Sequence, residues 1–281
     1  MEVSQGRAVL GSTGSASVWS RSTGNETALI VGAVHSLGQG WFGAEGTAIA
    51  EAIVDPADQV GIPRLFLLLP DGSAPDTLAS PWFGLFNPSI AAERNGNLMQ
   101  DVLPREDFYV AVTDAQKLDV SGLPPVPEPI TGGPVPLHDP AEVTMTRPTH
   151  SAARPGELVL MLGYANETGR LTASVGRVLG DADASAAVAT LAGLGDPEGS
   201  IDYDSDAEII IEGAAVAGMS GGPVVDGEGR LIAVLVRASE DHDGVQFARA
   251  VRMTHVVSRL DAAIEELGPE QQLAVAGYLE R

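Results

Sequence analysis

The sequence contains no cysteine. Disulfides, cysteine nucleophiles and thiolate metal sites are thereby excluded together. Lysine is nearly missing as well: Lys117 stands alone among the arginines, a bias that carries no functional reading. Aromatic residues make up only 5%, and no stretch approaches the roughly 18 uninterrupted apolar residues of a membrane helix. Positive charge is scarce. The formal net charge of −22 weighs against nucleic acid or an anionic membrane as partner, because either would be repelled. The opening residues, MEVSQGRAVLGSTGSASVW, have neither a basic start nor an apolar run. A cytoplasmic location is expected from the sequence as given, although a chain whose leader had been removed would read the same.

What is present suits a folded protein with many short elements. The length of 281 residues allows one sizeable core, or two small ones packed together. Apolar residues reach 44%, too many for disorder, and 33 glycines with 19 prolines favour frequent turns. Two Asn-x-Thr sequons, at Asn25 and Asn166, read as chance occurrences.

From residue 7 to about 120, short apolar runs are broken by Gly, Asn, Asp and Pro. Ser15–Ser20, Ala28–Val34, Thr47–Val54, Arg64–Leu69 and Phe108–Val112 are predicted strands. The stretch between Asp71 and Asp101, with Trp82, Phe83 and Phe86, is a long irregular loop or insertion. Residues 122–137, GLPPVPEPITGGPVPL, can form neither helix nor central strand, because their prolines lack N–H donors. They read as an extended linker and place a domain boundary there. The second half returns to short strands: Glu157–Gly163, Leu171–Leu179, Glu208–Ala214, Pro223–Val225 and Leu231–Val236, with a hairpin turn at Asp226–Gly229. From Thr254, a plausible N-cap, the apolar positions Val256, Val257, Leu260, Ala263, Ile264 and Leu267 follow helical spacing. Gly268–Pro269 ends that helix, and a short second one could follow to Arg281.

The most informative run is residues 208–236, EIIIEGAAVAGMSGGPVVDGEGRLIAVLV. A strand leads into Gly218-Met219-Ser220-Gly221-Gly222-Pro223 and then a hairpin. Glycines around a serine let the backbone turn sharply and aim its N–H groups inward. A developing oxyanion needs such donors, at about 3 Å. The plainer alternative is a glycine-rich turn with an incidental serine. The run also satisfies Gly-x-Ser-x-Gly, the elbow of α/β-hydrolases. That elbow must start a helix and be followed by an acid and a histidine. Here Pro223 and a β-like stretch follow, and His255 falls within the predicted terminal helix, so the elbow fails on context.

Gly-x-Ser-Gly-Gly-Pro after an apolar strand resembles the active-serine motif of the trypsin/chymotrypsin-like serine peptidases, and its surroundings resemble the disulfide-free bacterial, HtrA-like branch. Residues 15–38 look like that family's first hairpin with the strand that delivers the catalytic histidine. Residues 155–180 look like the paired strands opening the second barrel, and residues 244–260 like the final strand and closing helix. The resemblance implies an all-β fold: two six-stranded antiparallel β-barrels with a C-terminal helix. Its parts would be an N-terminal barrel at 7–121, the linker at 122–137, a C-terminal barrel at 138–252 and a helical segment at 253–281, with no PDZ-like region.

The same resemblance implies a serine endopeptidase acting on polypeptides without cofactor or metal. His35 would be the general base and Asp107 the group that orients it. Ser220 would be the nucleophile, with the N–H groups of Gly218 and Ser220 as oxyanion hole and Ala214 near the base of the S1 pocket. A small neutral residue at that base implies small or apolar P1 side chains. Glu106, Asp101 and Asp114 remain rivals to Asp107. His138, His150, His242 and His255 lack such context and read as solvated. Val34 stands where the family usually has a small alanine, and Met219 where zymogen-activated members carry aspartate, so activation by N-terminal cleavage is not expected. Asp202, Asp204 and Asp206 alternate as in a calcium loop, but Ala207 and Gly213 fall at its required glycine and glutamate. The run 196–208 is therefore expected to be a solvated acidic loop. A catalytically inactive binding or regulatory relative and an esterase using the same serine are the competing functional classes.

Overall fold

The computed structural model describes residues 2–4, 7–9, 14–21, 27–33, 35–36, 83–86, 103–114, 150–167 and 170–265. Its strands, in chain order, are β1 (Glu2–Ser4), β2 (Arg7–Val9), β3 (Ala16–Arg21), β4 (Thr27–Gly32), β5 (Phe83–Phe86) and β6 (Tyr109–Asp114). The second half adds β7 (Leu158–Ala165), β8 (Arg170–Val178), β9 (Glu208–Glu212), β10 (Pro223–Val225), β11 (Leu231–Ala238) and β12 (Phe247–Arg252). Two α-helices, α1 (Asp181–Leu194) and α2 (Met253–Glu265), and 3-10 turns at Pro104–Glu106 and Pro197–Ser200 are also described.

Strands β7 to β12 form a closed barrel in the order β10-β11-β12-β9-β8-β7. All pairs are antiparallel, and closure comes from β10 lying on β7, Val224 against Met161. The apolar runs seen in the sequence explain this. In β11 six consecutive residues, Leu231 to Val236, are buried, because one face fills the barrel and the other meets a neighbouring layer. Ile209, Ile211, Met161, Val224 and Leu235 fill the barrel interior. In the N-terminal half the described strands form a four-stranded sheet, β3-β4-β6-β5. The second closed barrel is not seen among the described residues.

A single apolar cluster joins the halves. Trp19, Val31, Ala33, Phe108 and Val110 pack against Val234, Val236 and Val251 of the barrel and Met253, Val256 and Leu260 of α2. Each fully buried side chain of this size is worth about 1.5–3 kcal/mol, so the seam is a substantial core in its own right. The amphipathic spacing of α2 exists to cover it.

Several expectations change. The fold is mostly β rather than all-β, because α1 interrupts the second half. Six of its fourteen residues are alanine, which favours helix without creating an apolar stripe. Gly195 ends it in the left-handed conformation, φ 77°. Helix α2 starts at Met253, so Thr254 lies inside it rather than capping it. The irregular stretch 71–101 supplies β5, paired to β6. The predicted strands Thr47–Val54 and Arg64–Leu69, the linker 122–137 and the segment after Gly268 lie outside the described residues. Among the described residues no helix is long and apolar enough to cross a membrane.

Candidate active site

The site lies at the seam. His35 sits on a short helical turn after β4, and Asp107 follows a 3-10 turn, Pro104–Glu106, that Pro104 initiates. Asp107 is completely buried and holds His35 twice. Its Oδ2 lies 2.6 Å from His35 Nδ1, and its Oδ1 accepts the His35 backbone N–H at 2.9 Å. The double contact fixes ring position and leaves Nε2 as the outer nitrogen. Of the rival acids, Glu106 belongs to the 3-10 turn and Asp114 ends β6, at the far end from His35; Asp101 is outside the described residues.

Ser220 comes from the loop between β9 and β10. Its carbonyl accepts the Ser15 N–H at 2.7 Å and the hydroxyl of Ser36 at 3.3 Å. The serine backbone therefore abuts the turn that carries His35. Ser220 Oγ donates to the Val236 carbonyl, 3.3 Å away. Gly221 cannot be replaced without rearrangement: at φ 86° it occupies the left-handed region, and a Cβ there would fall 1.9 Å from the Ser15 carbonyl oxygen.

The loop before the serine is a type II turn. Met219 N–H bonds the Val216 carbonyl at 3.1 Å, and Gly218 adopts φ 95° at the third position. Asn166 N–H binds the Ala217 carbonyl at 2.8 Å, and Gly222 N–H binds the Met219 carbonyl at 2.9 Å. Because N–H and C=O oppose each other across a trans peptide, the Gly218 and Ser220 N–H groups face away from those contacts. Neither meets an acceptor among the described residues.

Beside Ser220 lies a cavity of about 250 Å³ whose walls include Ala215, Ala217, Leu235, Arg237 and Ala238. Ala214 is not among its lining residues. Gln246 crosses it instead: its amide accepts from Ala215 N–H at 3.1 Å and donates to the carbonyls of Ala215 at 2.9 Å and Ser239 at 2.7 Å. Sequence reasoning missed Gln246 and Arg237, since Arg237 lies in β11 and Gln246 just before β12, both remote from the serine motif, and neither sits in a recognisable pattern.

Other readings are corrected by the surroundings. The acidic run is partly interior. Asp196 caps the 3-10 turn Pro197–Ser200 and binds His242 Nε2 at 2.9 Å. Burial would raise the Asp196 carboxyl, but hydrogen bonds from His242, Glu198 and Glu240 bring it below its ordinary value. Glu198 and Glu208 are pushed upward by burial, opposed by arginines; Arg249 meets Glu208 at 2.8 Å and Glu198 at 3.2 Å. Arg237, on the cavity wall, lies 3.6 Å from Glu198. His242 is thus engaged rather than solvated. His150 packs edge-on against Trp19, and His255 edge-on against Phe108, next to Asp107. Burial, and then Arg259, lowers the basicity of His255. His138 is outside the described residues. Among the described residues no group of three or more His, Asp or Glu could hold a metal ion.

Comparison with known proteins gives a match over part of the chain. The family model described as the trypsin-like peptidase domain matches residues 101–234, just under half of the chain, spanning Asp107 and Ser220. No curated protein matches. Among solved structures, an inactive form of the M. tuberculosis protein Rv3671c is 14% identical, covers 91% of this chain and 83% of its own, with a TM-score of 0.42. The serine endoprotease from Yersinia pestis is 13% identical over 90% of this chain and 58% of its own, TM-score 0.43. The HtrA-type protease AlgW with a decapeptide is 15% identical over 94% and 59%, TM-score 0.43. Residues 101–234 are thus similar to the trypsin-like peptidase domain.

Proposed function

We propose that the protein is a serine endopeptidase in which Ser220, His35 and Asp107 act together on polypeptides. Ser220 Oγ attacks the scissile carbonyl and its proton passes to His35 Nε2. The negative oxygen is received by the Gly218 and Ser220 N–H groups, and the leaving amine takes the proton back from His35. Water then repeats the sequence on the acyl-enzyme. Asp107 keeps the proton of the neutral ring on Nδ1 and balances the imidazolium. The observation that carries this reading is the 2.6 Å contact between His35 Nδ1 and a fully buried Asp107, on the turn whose Ser36 reaches Ser220.

In this reading the sheet β3-β4-β6-β5 is the described part of a first barrel at 7–121, joined by the linker 122–137 to the barrel at 138–252 and the helical segment 253–281. The cavity beside Ser220 is the S1 pocket. Its alanine walls and the Gln246 crossbar suit a small, uncharged P1 side chain, and among the described residues Arg237 but no carboxylate lines it, which disfavours Lys or Arg. Rapid cleavage of peptides with arginine at P1, with small ones untouched, would overturn that specificity.

A binding module without catalysis is the second reading, favoured by the Ser220 hydroxyl pointing to the Val236 carbonyl. A fluorophosphonate probe separates the two. Labelling is expected for the native chain and should vanish in Ser220→Ala and fall at least 100-fold in rate in His35→Ala, since base assistance alone contributes about 10²–10⁴. A native chain that takes no label and cleaves no peptide leaves the binding reading. Comparing kcat/KM on peptides and simple esters then tests whether esters are preferred.

A further inference from the structure

We propose that Ser15 is a positioning residue for the oxyanion donors, so that the site is completed by a residue of the N-terminal half that takes no part in the proton transfers. The inference rests on the serine-peptidase reading above and adds a component to it.

Ser15 lies just before β3 and is 7% exposed. Its hydroxyl donates to the Gly218 carbonyl at 2.8 Å and accepts the Tyr164 N–H, from β7, at 2.8 Å. Its own N–H donates to the Ser220 carbonyl at 2.7 Å. One residue therefore grips the carbonyls on either side of Met219. A hydroxyl has a single proton to give. The Tyr164 N–H takes a lone pair of the oxygen and so helps turn that proton onto Gly218.

The four peptides from Ala217 to Gly221 show why this matters. Two are anchored at their carbonyls by Asn166 and by Gly222, and the other two by Ser15. The Gly222 contact and the Met219-to-Val216 bond lie within the loop itself and would tilt with it. Ser15 ties the loop to a different sheet and holds it in place relative to His35. Gly218, without a Cβ, resists rotation of the 218–219 peptide less than any other residue would. Take away the Ser15 hydroxyl, and the Gly218 carbonyl and the Tyr164 N–H both lose a buried partner. With that anchor gone, the 218–219 peptide can rotate, and Gly218, free in both φ and ψ, lets the adjoining 217–218 peptide turn with it, which carries the Gly218 N–H out of line. Donors aimed at a transition state are sensitive to such shifts, because they act through preorganised geometry.

The test uses the full chain, a cleaved peptide substrate and a peptide boronic acid, which forms a tetrahedral adduct on the serine. In Ser15→Ala we expect kcat to fall about tenfold to a hundredfold, less than outright removal of a donor, with KM within threefold of the native value. Affinity for the boronic acid should fall in parallel with kcat, and Ser15→Thr, which keeps the hydroxyl, should retain both. A purely structural role would lower the melting temperature without separating boronic acid affinity from KM. Native kcat in Ser15→Ala, or a loss confined to KM with boronic acid affinity intact, overturns the proposal. Should Ser15→Ala not fold, Ser15→Cys keeps the bulk with a weaker donor. Intermediate kcat and boronic acid affinity then support the proposal, and native values overturn it. A native chain that neither cleaves peptide nor takes the fluorophosphonate fails the peptidase reading itself, whereas an active native chain with an unaffected Ser15→Ala fails only this inference.

Discussion

The two halves of the molecule divide the work unequally. The C-terminal barrel closes on itself, so each of its six strands has a neighbour on both sides and no edge is left open. It carries Ser220, the Gly218 turn, the cavity and a buried ionic network of Arg249, Glu208 and Glu198. In the proposed mechanism the N-terminal sheet contributes the proton-handling pair, His35 with Asp107, and the strut at Ser15. Neither half holds a complete site. The proposed site forms where the seam cluster presses β4 and the Asp107 turn against β11, so stability and the proposed catalysis should be separable by mutation.

Three substitutions sharpen this contrast. The largest effect belongs to Asp107→Asn. An asparagine amide facing His35 Nδ1 drives the ring proton to Nε2, where it cannot accept from Ser220. Turnover should drop by about 10³–10⁴, with a melting temperature close to native because the change is isosteric. Unchanged turnover, measured on any cleaved peptide, would remove Asp107 from the mechanism.

Arg249→Met strikes the other half. Arg249 is 2% exposed and also donates to the carbonyls of Glu198 and Ile201 at 2.9 and 2.6 Å. Its removal strands Glu208 as a buried charge, a loss of about 3–5 kcal/mol that urea unfolding at neutral pH would measure. Burial already raises Glu208 and Glu198 against the pull of the arginines. Protonation relieves a stranded carboxylate, so the destabilisation should shrink as pH falls toward the ordinary glutamate value. Below its new melting temperature the variant should still take the fluorophosphonate, since the His35–Asp107 pair is untouched.

The smallest effect lies at the seam. His255 is held below its usual value of 6.5 by burial and by Arg259, so the folded chain favours the neutral ring. Its contribution is present above that value and is lost as pH falls through the lowered one. His255→Gln should flatten the fall in unfolding free energy, measured by urea unfolding, below about pH 6.5, by less than one proton's slope of about 1.4 kcal/mol per pH unit. An identical pH profile in both chains would show that His255 does not titrate with unfolding.

Much of the architecture was legible as short apolar runs. Strands β3, β4, β6 to β9, β10 and β11 fall within a few residues of their predicted positions, because period and length mark a buried strand. Helix α1 was not legible. Its alanines give helical propensity, but its buried residues, Ala184, Ala187, Val188 and Leu191, are too small and few to make a stripe. The acidic run 196–208 misled for the opposite reason, since buried carboxylates with arginine partners look solvated until the partners are known.

The sequence by itself determined the local chemistry at Ser220: glycines at 218, 221 and 222 allow one kind of sharp turn, and that constraint is written in neighbouring residues. Helix α2 was fixed in the same way by its own apolar spacing. Only the tertiary structure decided which carboxylate meets His35, 72 residues away, and that Ser15 would reach the Gly218 carbonyl across 203 residues. It also put Gln246 across the cavity, 31 residues from Ala215. Such partners share no pattern along the chain. They are brought together by burial of the seam cluster, a non-directional force that leaves no local signature.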